Sequence, residues 1–401
     1  MNQAAPEEYG FSPDRLDRID SHMQDYVNNH RLAGILTLVA RDNSVVHLGL
    51  TGLRDMATEE PMTIDTIFRI YSMTKPITSV ALLQLHEEGS LELTDPVTKY
   101  LPEFEKVRVW SGGKKLVSPD RPMTVHDLLC HTAGLSYGGH KDSQHPVDKL
   151  YDDADLFNLQ LTLDESMRRL SGLPLISHPG QAWHYSIATD VVGRLIEVVA
   201  GQSLGTFFHQ RIFEPLGMVD TGFSVPPEKM ERLATLYGRS RATATGLKPL
   251  DESIGGDYRN PRLHLGGQGL VSTISDYLQF TLMMLNKGEW QGTRLLDRKT
   301  VELMTRNHLS PDHLPISYNG IVDAPVPGIG FGLGFYVLLD PTQAGISGNQ
   351  GDYGWGGFAE TSFWIDPEER IVAILMAQFM PSLTYPIRNE FRTLVYQALE
   401  G

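Results

Sequence analysis

The chain has a single cysteine, Cys130, in 401 residues, so no disulfide can close within it. That excludes a small disulfide-stapled fold and fits a reducing compartment. Positive charge is scarce: 34 basic residues face 49 acidic ones, a net of −15. Nucleic acid and anionic membrane surfaces both select a basic footprint, so neither is expected as a partner. Long hydrophobic runs are missing too. "IVAILMA" at 371–377 is strand-length, well short of the roughly 20 residues that cross a bilayer. The start, "MNQAAPEEYGFSPDRLDRID", has no basic stretch leading into an apolar one. It reads as a mature start, and the expectation is a cytoplasmic protein, or a periplasmic one if a signal was removed. What is there, 41% hydrophobic and 21% charged, is ordinary globular usage. The length admits two or three domains.

Several familiar sites are also not expected. Gly345-Ile346-Ser347-Gly348-Asn349 lacks the last glycine of a nucleophile elbow, which argues against a Ser-His-Asp hydrolase. His86-Glu87 lacks the second histidine of a zinc-protease helix. His126 and His131, and again His140 and His145, have four residues between them and no further ligands nearby in sequence, so no metal is expected. Cys130 sits in an apolar run as a small core residue. The glycines at 266, 267 and 269 do not form a dinucleotide fingerprint and are read as shaping a turn ahead of a helix. No cofactor is expected.

Ser12-Pro13 opens a helical pattern, with Ser12 as its cap. "GILTLVAR" (34–41) and "SVVHLGLTG" (44–52), joined by Asp42-Asn43, form a hairpin signal. At the far end "GLGFYVLL" (332–339), "AETSFWID" (359–366) and "RIVAILMAQF" (370–379) are rich in strand formers, and a helix follows from about 386 to 399. Helical periodicity marks 76–88, 185–200, 203–213 and 275–287, separated by Gly/Pro-rich stretches at 111–122, 221–228 and 254–269. Strands at both ends and helices between predict an α+β fold. One antiparallel sheet is built from 1–66 and 330–401 and flanked by terminal helices; 67–329 forms a mostly helical inserted lobe.

Three segments carry candidate chemistry. In "YSMTKPITSVALLQLHEEG", apolar residues cover most of a helix circumference, so the helix is buried, with Ser72 at its start and Lys75 one turn on. A lysine at the positive end of a buried helix is locally unfavourable. Such a conflict is typical of a functional site. Read singly, the pair is still a cap and a snorkelling lysine. "HPGQAWHYSIATDVVGRLIEVVAG" places Tyr185 at a helix start, and "YGWGGFAETSFWI" is a strand carrying Trp355-Gly356-Gly357. Paired glycines weaken a strand unless backbone or ligand approaches closely.

Taken in order, Ser72-Met73-Thr74-Lys75, Tyr185-Ser186-Ile187 and Trp355-Gly356-Gly357 resemble the three motifs of the serine β-lactamase and penicillin-binding-protein-like hydrolases, in their class C branch. "LLCHTAGL" (128–135) is similar to a further segment of that branch, and the resemblance runs from about 12 to 398. The second motif is usually Tyr-x-Asn and the third Lys-Thr-Gly; here Ile187 and Trp355 stand instead. Losing an amide and a cation disfavours an anionic β-lactam, and the variant third motif resembles the family VIII carboxylesterases. The resemblance implies Ser72 as nucleophile with Lys75 and Tyr185 as its proton-handling partners. It also implies an oxyanion hole from the backbone N–H groups of Ser72 and Phe358. Trp355, Gly356, Gly357 and Ile187 would line a pocket for a short-acyl ester. A β-lactamase, D-amino-acid peptidase or acyltransferase would use the same site, and a non-catalytic scaffold is the reading from another class. His131 is expected to tie down a loop.

Overall fold

The computed structural model describes residues 3–139, 145–251, 256, 258–317 and 325–400. Its main sheet has eight strands: β1 (Gly34–Arg41), β2 (Ser44–Asp55), β3 (Glu60–Pro61), β4 (Ile329–Phe331), β5 (Tyr336–Leu338), β6 (Tyr353–Gly357), β7 (Thr361–Asp366) and β8 (Ile371–Ala377). They lie in the order β4-β5-β6-β7-β8-β1-β2-β3, and every neighbouring pair is antiparallel. The β1–β2 turn has both Asp42 and Asn43 at positive φ, the backbone that a two-residue hairpin needs and that these two residue types tolerate. The two ends of the chain meet at the sheet's centre, where Ile35 faces Ala377 and Arg41 faces Ile371.

The long helices are α1 (Pro13–Asn28), α2 (Thr74–Glu87), α4 (Ala188–Ala200), α5 (Ile274–Leu285) and α6 (Ile387–Ala398), and a short helix α3 spans Val125–Leu129. Period-2 alternation divides the sheet's side chains. Ile35 and Val39 of β1, with Ala373 and Leu375 of β8, pack under α1 and α6 around Leu16, Ile19, Phe391 and Val395. Leu36 and Leu38, with Val372 and Ile374, face the other way into the larger core with α2, α4 and α5. Both sheet faces are thus covered, which is why β8 reads as an unbroken apolar run rather than an alternating one.

Two local expectations need correction. Ser12 precedes α1 but makes no side-chain cap bond; its backbone N–H instead donates to Ala398 O, joining the two terminal helices. The helix expected from 185 begins at Ala188, because the backbone N–H groups of His184 and Ile187 are taken by the carbonyls of His131 and Ser136. His140 and part of the 254–269 stretch lie outside the described residues. Among the described residues no single helix is long and apolar enough to cross a membrane.

Candidate active site

Ser72 sits in a tight 3-10 turn, Tyr71–Met73, that runs into α2. Tyr71, just before it, has a φ of 42°, a left-handed conformation that costs about a kcal/mol or more in a residue with a Cβ. α2 is buried from Thr74 to Leu85, so Lys75 does not snorkel: it is 0% exposed. Its Nζ donates to Ser72 Oγ at 3.1 Å and to Gly267 O at 2.7 Å. It also lies 4.7 Å from the Tyr185 ring centre and 5.2 Å from that of Tyr137. Two aromatic faces and two oxygens thus replace water around the amine.

The Tyr185 hydroxyl donates to Ser72 Oγ at 2.7 Å. Its segment is held from the loop after α3. His131, at φ 58°, accepts from His184 N through its carbonyl at 2.8 Å. Its Nδ1 is 3.4 Å from Ser186 Oγ, and its ring packs edge-on to Tyr185 at 5.0 Å. Burial and the nearby Lys75 hold His131 well below its usual pKa, so it is neutral. It positions Tyr185, as expected of a residue that ties down a loop.

Behind Lys75 lies a carboxyl group that the sequence reading missed. Asp190, fully buried, accepts from Gly267 N at 2.9 Å. Burial raises its pKa to about 6 against the opposing pull of Lys75 and of the Gly267 N–H. Gly267 therefore bridges the pair, receiving Lys75 on its carbonyl and giving its N–H to Asp190. A Cβ there would fall 2.6 Å from Asp190 Oδ2 and 3.0 Å from the Tyr137 hydroxyl. The turn expected around these glycines is present, but its glycine requirement comes from close approach. The one advance signal for Asp190 was an acid on the apolar face of α4.

The third segment closes the site. β6 brings Trp355 within 5.4 Å of the Tyr185 ring and 5.2 Å of Phe331. A Cβ on Gly357 would lie 2.4 Å from Ile70 O, so this glycine lets the strand press against the turn that holds Ser72. A cavity of 360 Å³ opens on Ser72 and Tyr185, walled by Trp355, Gly356, Gly357, Phe358, Ile329 and Tyr336. Arg388, from α6, also reaches it, donating to Gly357 O and to Glu360, both at 2.7 Å. Nothing in the local sequence marks Arg388 or Glu360.

Ile187 departs from expectation. It is 0% exposed and is not among the residues lining the cavity. It stands just ahead of α4, where its backbone N–H donates to Ser136 O and its side chain enters the core. A second correction concerns motif reading. Gly134-Leu135-Ser136-Tyr137-Gly138 has the G-x-S-x-G form that the sequence reading passed over. Ser136, however, is buried, donates to Asp148 and accepts from Gly138 N; it lies in a loop with no strand-to-helix elbow. Cys130 is fully buried and its thiol is pushed well above its usual pKa by burial, as befits a core residue.

A serine hydroxyl held between a buried amine and a phenol, beside a glycine-tight strand, is the equipment of covalent acyl transfer. The chain belongs to the β-lactamase family, whose model matches residues 19–397. It is 31% identical to Esterase EstB of Burkholderia gladioli over 419 aligned residues, covering 99% of this chain and 100% of that protein. It is also 31% identical to Protein Rv1367c of Mycobacterium tuberculosis, over 92% of this chain and 91% of that one. Among solved structures it resembles EstCE1, described as a hydrolase with promiscuous acyltransferase activity, with a TM-score of 0.79 and 28% identity over 96% of this chain and 99% of that one.

Proposed function

We propose that this protein is a carboxylesterase that cleaves short-acyl esters through an acyl-Ser72 intermediate. The observation that carries the reading is that Ser72 Oγ lies within hydrogen-bond reach of both Tyr185 and Lys75. In this mechanism the Tyr185–Lys75 pair enters one proton short of phenol plus ammonium, Ser72 Oγ attacks the ester carbonyl, and the serine proton fills that vacancy. Tyr185 acts as the shuttle and Lys75 as its holder. The tetrahedral oxyanion is received by the N–H groups of Ser72 and Phe358. The alcohol leaves with the proton, a water gives its own proton to Tyr185 and attacks the acyl carbon, and the acyl–Oγ bond breaks as Ser72 takes that proton back from Tyr185. Trp355 walls the acyl or alcohol side.

An ester is favoured over a β-lactam by the charges on the cavity wall. Arg388 is paired with buried Glu360, and Arg392 with buried Asp352. Each cation thus comes with a buried counter-charge, which weakens the field that would draw in a substrate carboxylate. The likeness to EstB supports the same choice. The test is one preparation assayed on p-nitrophenyl acetate and butyrate, a penicillin, a cephalosporin and a D-alanyl amide. Butyrate hydrolysis with the highest kcat/KM supports the reading, and efficient penicillin turnover overturns it. Labelling of wild type but not Ser72→Ala by a fluorophosphonate separates an enzyme from a scaffold.

Transfer of the acyl group to an alcohol is the second reading, prompted by the EstCE1 likeness. It is measured as the ester product formed when an alcohol is added to the butyrate assay.

A further inference from the structure

The fold supplies what the sequence spacing of the histidines did not. His126 on α3 and Cys130 one turn later meet His308, from the segment that leads toward β4. His126 Nε2 is 3.0 Å from His308 Nδ1 and 3.6 Å from Cys130 Sγ, and the three donor atoms all lie within 4.8 Å of one another. A tetrahedral zinc with bonds of about 2.0 Å to nitrogen and 2.3 Å to sulfur needs donors about 3.3 Å and 3.6 Å apart. The observed spacing therefore asks for only small side-chain movement.

The hydrogen bonds prepare the same atoms. His308 Nε2 lies 2.7 Å from Leu303 O. A carbonyl can only accept, so Nε2 carries the proton and Nδ1 presents its lone pair to the cluster. A ring nitrogen fixed in this way by a backbone carbonyl is the usual outer support of a metal-binding histidine. Cys130 is fully buried, while both histidines are half-buried, which leaves a route from solvent.

We propose that His126, Cys130 and His308 bind one thiophilic d10 cation, represented by Zn²⁺, as a Cys-His₂ site whose fourth position is taken from solvent. On binding, the Cys130 S–H bond breaks, a Zn–S bond forms and the proton goes to the buffer. His126 moves its ring proton from Nε2 to Nδ1. Coordinated thiols are deprotonated outright, which overcomes the burial that otherwise holds this one neutral.

The position gives the site a consequence. Cys130 adjoins His131, whose ring packs on Tyr185, and His308 N donates to Phe331 O at 2.8 Å. Phe331 in turn packs on Trp355. A bound ion therefore ties together two supports of the aromatic wall from outside the cavity.

The test loads the full chain with Zn²⁺, removes loosely held metal by dialysis, and counts the equivalents retained. Co²⁺ is then used as the spectroscopic probe. The expected result is one equivalent, a thiolate-to-cobalt charge-transfer band with tetrahedral d–d bands, and a rise in Tm with Zn²⁺. Cys130→Ser and His308→Gln should each weaken binding at least about tenfold and abolish the Tm rise. Retention of less than one equivalent, equal binding by both variants, or a cobalt spectrum without the thiolate band would overturn the assignment. Should a variant fail to fold, the cobalt spectrum of the wild type decides alone.

Discussion

Arg388 on the last helix donates to Glu360, a fully buried carboxylate at φ 63°, and to the carbonyl of Gly357. Glu360 also accepts from Leu383 N at 2.9 Å. One guanidinium thus fixes both ends of the turn that contains Phe358, and with it the N–H proposed to receive the oxyanion. Arg388→Ala leaves Glu360 buried without its cation, which costs roughly 3 kcal/mol. The expected kinetic result is a fall in kcat on p-nitrophenyl butyrate with KM changed less. A variant with wild-type kcat would show that the turn holds itself.

Removing the proposed nucleophile should end turnover. Purified Ser72→Ala is expected to have no butyrate hydrolysis above background. Tyr185→Phe and Lys75→Ala should each lose about 10²- to 10⁴-fold in kcat, the range of positioned proton transfer. Near-wild-type rates in Ser72→Ala would overturn the site.

Asp190 makes the fold less stable as pH rises. Its folded pKa of about 6 stands above the ordinary value of 3.8, so between these values the folded state holds the proton and the unfolded state has lost it. Stability from this group is complete below about pH 4 and is lost through about pH 6, by roughly 3 kcal/mol at most. Asp190→Asn keeps an oxygen for Gly267 N and removes the titration. The Tm advantage of the variant over wild type should therefore be larger at pH 8 than at pH 4. An advantage that does not change with pH would refute the assignment.

Trp355 sets the size of the cavity. Trp355→Ala is expected to raise KM for acetate and butyrate esters and to move the preferred acyl chain to greater length, by about tenfold in relative kcat/KM. Removing a buried tryptophan also costs about 3–5 kcal/mol, so the profile is best read well below the variant's Tm. An unchanged chain-length profile would place Trp355 away from the acyl group.

Much of this was legible in the sequence. The β1–β2 hairpin followed from Asp42-Asn43 between two strand-like runs, and the shared sheet followed from strand formers at both ends. Ser72, Lys75 and Tyr185 were legible as a set, through their order and through the conflict that a buried lysine at a helix start creates. Asp190, Gly267, Arg388 and Glu360 were not, because each acquires its role from a partner far away in sequence or from a turn that only the packed chain forms. Ile187 was misplaced for a related reason. A motif position names a residue, but the direction of its side chain is set by how α4 enters the core.

The seam at the middle of the sheet has a bearing on how the protein is made. β1, near the start of the chain, has β8 as its neighbour on one side. No ribosome-bound intermediate can complete this sheet until β8 has emerged, so β1 and β2 wait as a lone hairpin with an apolar edge while the helical segment is synthesised. Closing so long a loop is slow. The assembly of Ser72 against β6 therefore comes late, and a truncation just before residue 371 should leave a chain whose main sheet is incomplete and which lacks the proposed esterase activity.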